Sequence, residues 1–181
     1  MIAIVDSGGA NIASVRFALE RLRIEGQFTA DPDIITRADK VILPGVGAAG
    51  DAMDTLRRKA LIEALRSLTQ PVLGICLGMQ LLFEHSEEGD TDLLGLLPGT
   101  VRRLPERAGL RIPHMGWNTL TFVHSFAVQH DDGLSEITVA ACEYGTEFTA
   151  IAARGNIMGC QFHPERSGAA GAQILKNFAE M

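Results

Sequence analysis

Three short apolar runs, each followed by a loop and a helix-like segment, constrain the fold of this chain most strongly. Residues 2–6, 40–43 and 71–75 are rich in Ile, Val and Leu without helical periodicity, as expected of buried strands. This alternation predicts an α/β fold, with a mostly parallel central sheet flanked by helices. We expect residues 31–33 to form a turn and residues 51–68 a helix. Ligands are then expected at the carboxyl ends of the strands.

The third apolar run leads into Cys76, which lies between two glycines. Residues 78–87 carry apolar side chains at helical spacing, so Cys76 falls at a turn from strand to helix. The Gly-x-Cys-x-Gly motif at 74–78 has the form of a nucleophile elbow, in which small neighbours permit a sharp turn. A helix start beneath the sulfur favours the thiolate. On this pattern alone, a buried core cysteine and a nucleophile are about equally well supported.

A histidine far along the chain supplies the partner that a nucleophilic cysteine needs. His163 ends an apolar segment, and Pro164 after it favours an extended backbone. Residues i and i+2 of an extended chain point to the same side, so Glu165 can reach the His163 ring. A carboxylate beside an imidazole fixes its tautomer and stabilises its charged form. Together with Cys76, this pattern favours a catalytic triad over a structural histidine.

A glycine-containing loop follows the second apolar run. Gly45, Val46 and Gly47 lie at the end of that predicted strand. Taken alone, they indicate a simple turn. Beside a nucleophile on a neighbouring strand, their backbone N–H groups are expected to face a developing oxyanion, with the N–H of Leu77 as the second donor.

Composition limits the partners and cofactors of the chain. A net charge of −6, without a Lys/Arg cluster, argues against nucleic acid or an anionic membrane as the main partner. The N-terminus is strand-like rather than a signal peptide, and no apolar run is long enough to span a bilayer, so we expect a cytoplasmic protein. Cys76, Cys142 and Cys160 are scattered, which fits reduced thiols and offers no zinc spacing. We expect neither a metal nor an organic cofactor.

The pattern changes to short β-like runs after residue 89. These runs lie at residues 101–104, 137–142, 148–153 and 157–162. They predict a meander that adds antiparallel strands to the sheet. Ser167 is expected to act as the N-cap of a last helix over 168–180. Since no linker or repeat interrupts the chain, residues 1–181 are expected to form a single domain.

Two sets of motifs carry a resemblance to a known family. Cys76 in Gly-Ile-Cys-Leu-Gly-Met-Gln, followed by His163-Pro-Glu, resembles the class I glutamine amidotransferases, and the likeness covers essentially the whole chain. It implies hydrolysis of glutamine to glutamate and ammonia by a Cys-His-Glu triad. Pro-His-Met-Gly-Trp-Asn at 113–118 is more selective, and resembles the glutaminase subunits that serve histidine biosynthesis.

That narrower resemblance implies a protein partner. The partner is a cyclase subunit with a (β/α)₈ barrel, which forms a heterodimer with the glutaminase. It uses the ammonia to make imidazole glycerol phosphate and an aminoimidazole carboxamide ribotide. The resemblance further implies that the oxyanion loop changes orientation when the partner binds its ligand, so that the free subunit idles.

The resemblance also assigns individual residues. It implies oxyanion donors at Leu77 and the Val46–Gly47 peptide, and substrate head-group binding by Gln80 and Glu88. For Glu88 the competing interpretation is a solvated carboxylate at a helix end. Other substrate-binding positions implied are Gly45, Gly47, Ser125 and Phe126. Positions implied to face the cyclase are Asn11, Met115, Trp117, Asn118 and Arg166.

The chain departs from the family between Asn118 and Phe122. Three residues, 119–121, stand where the family has a longer polar loop and a strand that ends in Tyr, and Thr121 occupies that Tyr position. The loop is either truly deleted or absent from this sequence. We favour the second explanation, because no nearby segment compensates for the lost strand.

Three other functions compete with this interpretation. The first is another amidotransferase of the same class, but that function would leave the motif at residues 113–118 unexplained. A cysteine peptidase or thioesterase shares the elbow, but does not explain Gln80. A non-catalytic binding subunit is disfavoured because Cys76, His163 and Glu165 are all present.

Overall fold

A seven-stranded sheet forms the centre of the protein. The computed structural model describes residues 1–8, 12–105, 114–117, 120–129 and 132–181. The described strands are β1 (Ile2–Val5), β2 (Gly26–Thr29), β3 (Lys40–Gly45), β4 (Val72–Cys76), β5 (His85–Ser86), β6 (Thr91–Asp92), β7 (Thr100–Arg103), β8 (His114–Trp117), β9 (Thr121–His124), β10 (Phe126–Val128), β11 (Thr138–Glu143), β12 (Glu147–Arg154) and β13 (Ile157–Cys160). The described α-helices are α1 (Ile12–Arg21), α2 (Pro32–Arg37), α3 (Ala49–Arg58), α4 (Ile62–Arg66), α5 (Leu77–Gln80) and α6 (Gly168–Glu180).

The central sheet is mostly parallel, with an antiparallel extension at one edge. Its order is β11-β12-β13-β4-β3-β1-β2, and all neighbours from β13 to β2 run parallel. β12 is antiparallel to both of its neighbours. The predicted fold class is therefore confirmed. The run at 101–104 is the exception, because β7 joins a separate small sheet of order β10-β7-β5-β6.

Each face of the sheet buries its own apolar cluster. Ala3 and Val5 of β1 pack with apolar residues of α3 and α4, whereas Ile2 and Ile4 pack with residues of α1 and α6. This alternation follows from the two-residue period of a strand. No helix in the described ranges is long and apolar enough to cross a membrane.

The helices differ from the sequence-based expectation in three places. The expected turn at 31–33 begins α2, because Asp31 accepts a hydrogen bond from the Asp33 N–H and Pro32 occupies the first helical turn. The expected helix at 51–68 is broken between α3 and α4, where Ala60 has a φ of +55° and Leu61 enters the core. The segment 78–87 is helical only as far as Gln80, where α5 ends, and it also contains β5.

A two-stranded hairpin contains the segment 119–121, which the resemblance marks as short. β8 and β9 pair antiparallel, with Trp117 opposite Thr121. The Thr121 N–H donates to Ser167 Oγ at 2.9 Å, and the Thr121 hydroxyl donates to the Arg166 carbonyl at 3.0 Å. The Ser167 hydroxyl itself donates to the His163 carbonyl at 2.7 Å. Ser167 precedes α6 as expected, but makes no capping side-chain bond, because its hydroxyl anchors the hairpin instead.

Close backbone packing fixes α5 on the sheet. A Cβ added to Gly78 would overlap the Leu43 carbonyl oxygen of β3, and one added to Gly74 would lie 2.7 Å from the Gly78 carbonyl oxygen. Contacts this short leave no room for a side chain, and the atoms that would have to move are backbone. Both glycines of the motif at 74–78 are therefore required for α5 to lie against β3 and β4.

This packing predicts that Gly78→Ala strongly destabilises the protein. The methyl group would force α5 away from β3, and overpacking of this kind costs on the order of 3 kcal/mol or more of unfolding free energy. Gly50→Ala is a matched control, because Gly50 lies in α3 and an added Cβ has room there. The nearest contact recorded for that Cβ is Thr91 Oγ1, at 3.6 Å. We expect the control to be neutral or up to about 1 kcal/mol more stable. Urea denaturation measures both, and equal stability of the two variants would contradict the packing argument.

Candidate active site

Cys76 has a strained backbone at the carboxyl end of β4. It is the last residue of the strand, with a φ of +54° and a ψ of −113°, and α5 begins at Leu77. Such a conformation costs a non-glycine residue on the order of 1–3 kcal/mol and persists only where the surroundings impose it. The side chain is nearly buried, at 6% exposure, but contributes to the wall of a cavity. The geometry is that of the strand-to-helix elbow that the sequence predicts.

His163 and Glu165 meet beside Cys76. The His163 backbone is extended, with a φ of −97° and a ψ of 95°, and its Nδ1 lies 2.9 Å from Glu165 Oε1. The side chains of both residues are buried. The contact between positions i and i+2 is present, but the predicted extended backbone holds only at His163, because Pro164–Arg166 form a 3₁₀ turn. Glu165 is thereby placed to hold the ring orientation of His163.

The contacts around His163 favour its charged form. Burial lowers the pKa of His163, but hydrogen bonds with Cys76 and Glu165, together with their negative charges, outweigh it and raise the pKa to about 9. At neutral pH the imidazole is therefore protonated beside the sulfur. The arrangement places a protonated ring as a proton donor beside the sulfur, which is the candidate nucleophile.

A cavity of about 450 Å³ opens at these residues. This volume is in the range of about 300–1,000 Å³ typical of small-molecule sites. The cavity lies at the carboxyl ends of β3 and β4, as the α/β pattern predicts. Its lining residues are Val46, Gly47, Cys76, Leu77, Gln80, Glu88, Val123, His124, Ser125, Phe126, His163 and Arg166.

The predicted oxyanion loop borders this cavity. Gly47 has a φ of +95°, and among the described residues, apart from its own chain neighbours, no atom lies within 4 Å of the position of an added Cβ. This side of Gly47 therefore faces open space. The loop leads into α3, where the Ala49 N–H donates to Glu88 Oε2 at 2.8 Å. Glu88 is therefore not simply solvated, since one of its oxygens holds the helix start beside the loop. Gly45 is placed differently, paired with Cys76 and packed against Gly78, and does not line the cavity.

Gln80 is held by two acceptors at the cavity wall. Its Nε2 donates to the Phe126 carbonyl at 2.8 Å and to Gln161 Oε1 at 3.0 Å. An amide group has two N–H donors, and both are used here. The Oε1 of Gln80 is the polar atom that remains to accept a hydrogen bond from a ligand.

Three residues of the site were not identified from the sequence. Gln161 Nε2 lies 3.9 Å from Cys76 Sγ, and the Val123 carbonyl lies 3.8 Å from the same sulfur. The His124 ring lines the cavity and contacts the Phe126 carbonyl through Nδ1 at 3.1 Å. The position of Gln161, two residues before His163, could have indicated it. Nothing in the local pattern points to β9.

The residues predicted to face a partner are only partly described. Arg166 is exposed at the cavity. Asn11 and Asn118 lie outside the described residues, as do the side chains of Met115 and Trp117. Within the described part of the chain, no group of three or more His, Cys, Asp or Glu residues is arranged to hold a metal ion.

Comparison with known proteins gives the family. Residues 3–181 match the family model described as "Glutamine amidotransferase class-I". A solved structure described as a glutamine amidotransferase has a TM-score of 0.74 at 17% identity and covers 99% of this chain and 97% of its own. The chain therefore belongs to the class I glutamine amidotransferases, and the resemblance found in its sequence is confirmed.

Curated relatives give a narrower likeness within that family. The chain is 50% identical to the imidazole glycerol phosphate synthase subunit HisH of Xanthomonas axonopodis pv. citri (strain 306), over 99% of this chain and 97% of the relative. It is 51% identical to the HisH subunit of Xylella fastidiosa (strain Temecula1 / ATCC 700964), with the same coverage. These alignments extend over 198 residues, more than the 181 of this chain, so the relatives hold additional residues inside the matched region.

The site geometry predicts different reactivities for the three cysteines. At pH 7, we expect iodoacetamide to alkylate Cys76 first, because its sulfur lines the cavity beside the His163 ring. Burial raises the pKa of Cys160 well above its usual value, and burial and Glu143 raise the pKa of Cys142, so both should react more slowly. His163→Gln should slow Cys76 by about tenfold or more and leave Cys142 unchanged. Peptide mass spectrometry measures each rate, and faster labelling of Cys142 than of Cys76 would contradict the pairing.

Proposed function

We propose that this protein hydrolyses glutamine to glutamate and ammonia, and delivers the ammonia to a cyclase subunit in histidine biosynthesis. The cyclase, a (β/α)₈ barrel, would use the ammonia to form imidazole glycerol phosphate and an aminoimidazole carboxamide ribotide. The near full-length identity of 50% to HisH subunits supports the assignment of the pathway. The observation that carries the chemistry is the Cys76–His163–Glu165 arrangement at the cavity.

The first half of the reaction forms a thioester. The Cys76 thiolate attacks the side-chain carbonyl carbon of glutamine, and the carbonyl oxygen becomes an oxyanion. The N–H of Leu77 and an N–H of the Val46–Gly47 peptide stabilise it, and each such donor contributes about 10²–10³-fold in rate. The His163 imidazolium then protonates the departing nitrogen, which leaves as ammonia.

The second half of the reaction restores the enzyme. Neutral His163 removes a proton from water, and the resulting hydroxide attacks the thioester carbonyl carbon. Glutamate leaves as the carbon–sulfur bond breaks, which regenerates the thiolate and the imidazolium. Glu165 holds the ring orientation through both halves and does not touch the substrate.

Residues at the opposite wall of the cavity would hold the amino-acid end of glutamine. Gln80 offers Oε1 as an acceptor, and Glu88 retains one carboxylate oxygen beside the one that holds Ala49. Both acceptors suit the substrate ammonium group. The backbone of Gly47, Ser125 and Phe126 lines the space between them.

The partner would act on the oxyanion loop. No described residue other than its chain neighbours lies within 4 Å of a Cβ added to Gly47, so the Val46–Gly47 peptide has room to change orientation. Arg166, at the rim of the cavity, would face the cyclase together with Asn11, Met115, Trp117 and Asn118. We propose that the free subunit idles until a cyclase loaded with its ribonucleotide ligand reorients this peptide.

Release of glutamate from glutamine tests the proposal. We expect slow release by the subunit alone and a stimulation of about 10²-fold or more by the ligand-loaded cyclase, since the loop supplies one oxyanion donor. Cys76→Ala should abolish release in both states. An enzyme-coupled glutamate assay measures the rates, and far-ultraviolet circular dichroism confirms that each protein is folded. Full activity of the free subunit would contradict idling, and no activity with the loaded cyclase would contradict the function.

A further inference from the structure

Gln161 lies behind the nucleophile, outside the cavity. It follows β13 directly and is completely buried, at 0% exposure. Its backbone N–H donates to the Ala150 carbonyl of β12 at 2.9 Å, which fixes the residue against the sheet. Because Gln161 does not line the cavity, a substrate cannot contact it. Any effect on the reaction must pass through its neighbours.

The side-chain amide of Gln161 connects two residues of the site. Its Nε2 donates to Cys76 Sγ at 3.9 Å, and its Oε1 accepts from Gln80 Nε2 at 3.0 Å. Gln80 in turn donates to the Phe126 carbonyl at 2.8 Å. The three bonds form one chain that runs from the backbone of β10 to the sulfur.

The Phe126 carbonyl sets the direction of these three hydrogen bonds. A backbone carbonyl can only accept, so Gln80 must present its NH₂ group to Phe126. The second N–H of that group faces Gln161, which must therefore present its carbonyl oxygen to Gln80. The Gln161 NH₂ group is left facing Cys76. Only one orientation of each amide satisfies all the contacts.

We infer that Gln161 is a positioning residue of the glutaminase reaction, which stabilises the Cys76 thiolate through its NH₂ group and orients the substrate-facing amide of Gln80 through its carbonyl. This inference rests on the proposed function for its substrate, but the contact with the sulfur stands apart from it. A buried donor to a charged acceptor contributes more than a neutral hydrogen bond. The same contact leaves Gln80 Oε1 to accept from glutamine.

Two substitutions separate the roles of the two ends of the amide. Gln161→Glu keeps an oxygen toward Gln80 but puts an oxygen in place of the donor toward Cys76. Gln161→Met removes both polar groups at similar size. Gln173→Met is the matched control, since Gln173 is exposed on α6 and bonds only locally to Asn177.

The first readout is the pH dependence of Cys76 alkylation by iodoacetamide, followed by mass spectrometry between pH 5 and pH 10. For Gln161→Met we expect the midpoint to move upward by about one pH unit, because one donor to the thiolate is lost. For Gln161→Glu we expect a larger upward move, because an oxygen faces the sulfur. The control should match the unsubstituted protein. This readout requires neither glutamine nor the cyclase.

The second readout is the KM for glutamine with the ligand-loaded cyclase. In this readout, Gln161→Met should have the larger effect, the reverse of the order expected for the alkylation midpoint. Gln161→Met frees Gln80 to turn and should raise KM by about five- to tenfold, whereas Gln161→Glu keeps the Gln80 contact and should raise KM by about twofold or less. Damage that is merely structural would not reverse the order of the two variants between the two readouts.

The inference is overturned if folded Gln161→Met and Gln161→Glu leave both the alkylation midpoint and KM unchanged. It is also overturned if both properties change in parallel with a loss of melting temperature. If Gln161→Met fails to fold, the alkylation midpoint of the near-isosteric Gln161→Glu decides the matter alone. A shifted midpoint in a protein that never hydrolyses glutamine would support the role of Gln161 at the sulfur and contradict the proposed function.

Discussion

The close approach of α5 to the central sheet determines the rest of the site. Gly78 lies against the Leu43 carbonyl, and this contact draws the start of α5 down between β3 and β4. The chain can reach that position only if Cys76 turns through a φ of +54°. The cost of that turn is offset by the apolar burial of β4 and α5, in which every residue of both elements is buried. The sulfur is therefore fixed by the core of the protein.

Elements far apart in the sequence converge on this fixed sulfur. β13 runs parallel to β4 and brings Gln161 and His163 beside Cys76. The hairpin strand β9 supplies the Val123 carbonyl from another side, and its Thr121 is tied to Ser167 just beyond the triad. Glu88 connects the cavity wall to the start of α3, next to the oxyanion loop. A ligand that contacts Glu88 would therefore contact a residue that is hydrogen-bonded to Ala49, just after the oxyanion loop. The proposed activation depends on that loop.

The sequence predicts the local parts of this arrangement and misses the contacts that depend on distant packing. The parallel strands could be predicted, because strand burial acts over a few residues. The His163–Glu165 contact was predicted for an extended chain, and the structure makes it through a 3₁₀ turn at Pro164–Arg166. The break of the helix at Ala60 could not be predicted, because burial of Leu61 in the core overrides the helical periodicity of the sequence. Ser167 has a capping residue type, but a competing contact with β9 recruits its hydroxyl. Gln161 lies just after β13 and two residues before His163, and only its contacts with Gln80 and Cys76 reveal what it does.

The most direct test of this account is the titration of the His163 ring by nuclear magnetic resonance in protein with labelled histidine. His163→Gln, which removes one signal, assigns the resonance. The account predicts that the ring loses its proton at a pKa of about 9, and that Cys76→Ala lowers this pKa, because the contact with the sulfur raises it. A His163 pKa at or below its ordinary value of 6.5 in the unsubstituted protein would contradict a protonated ring beside the sulfur.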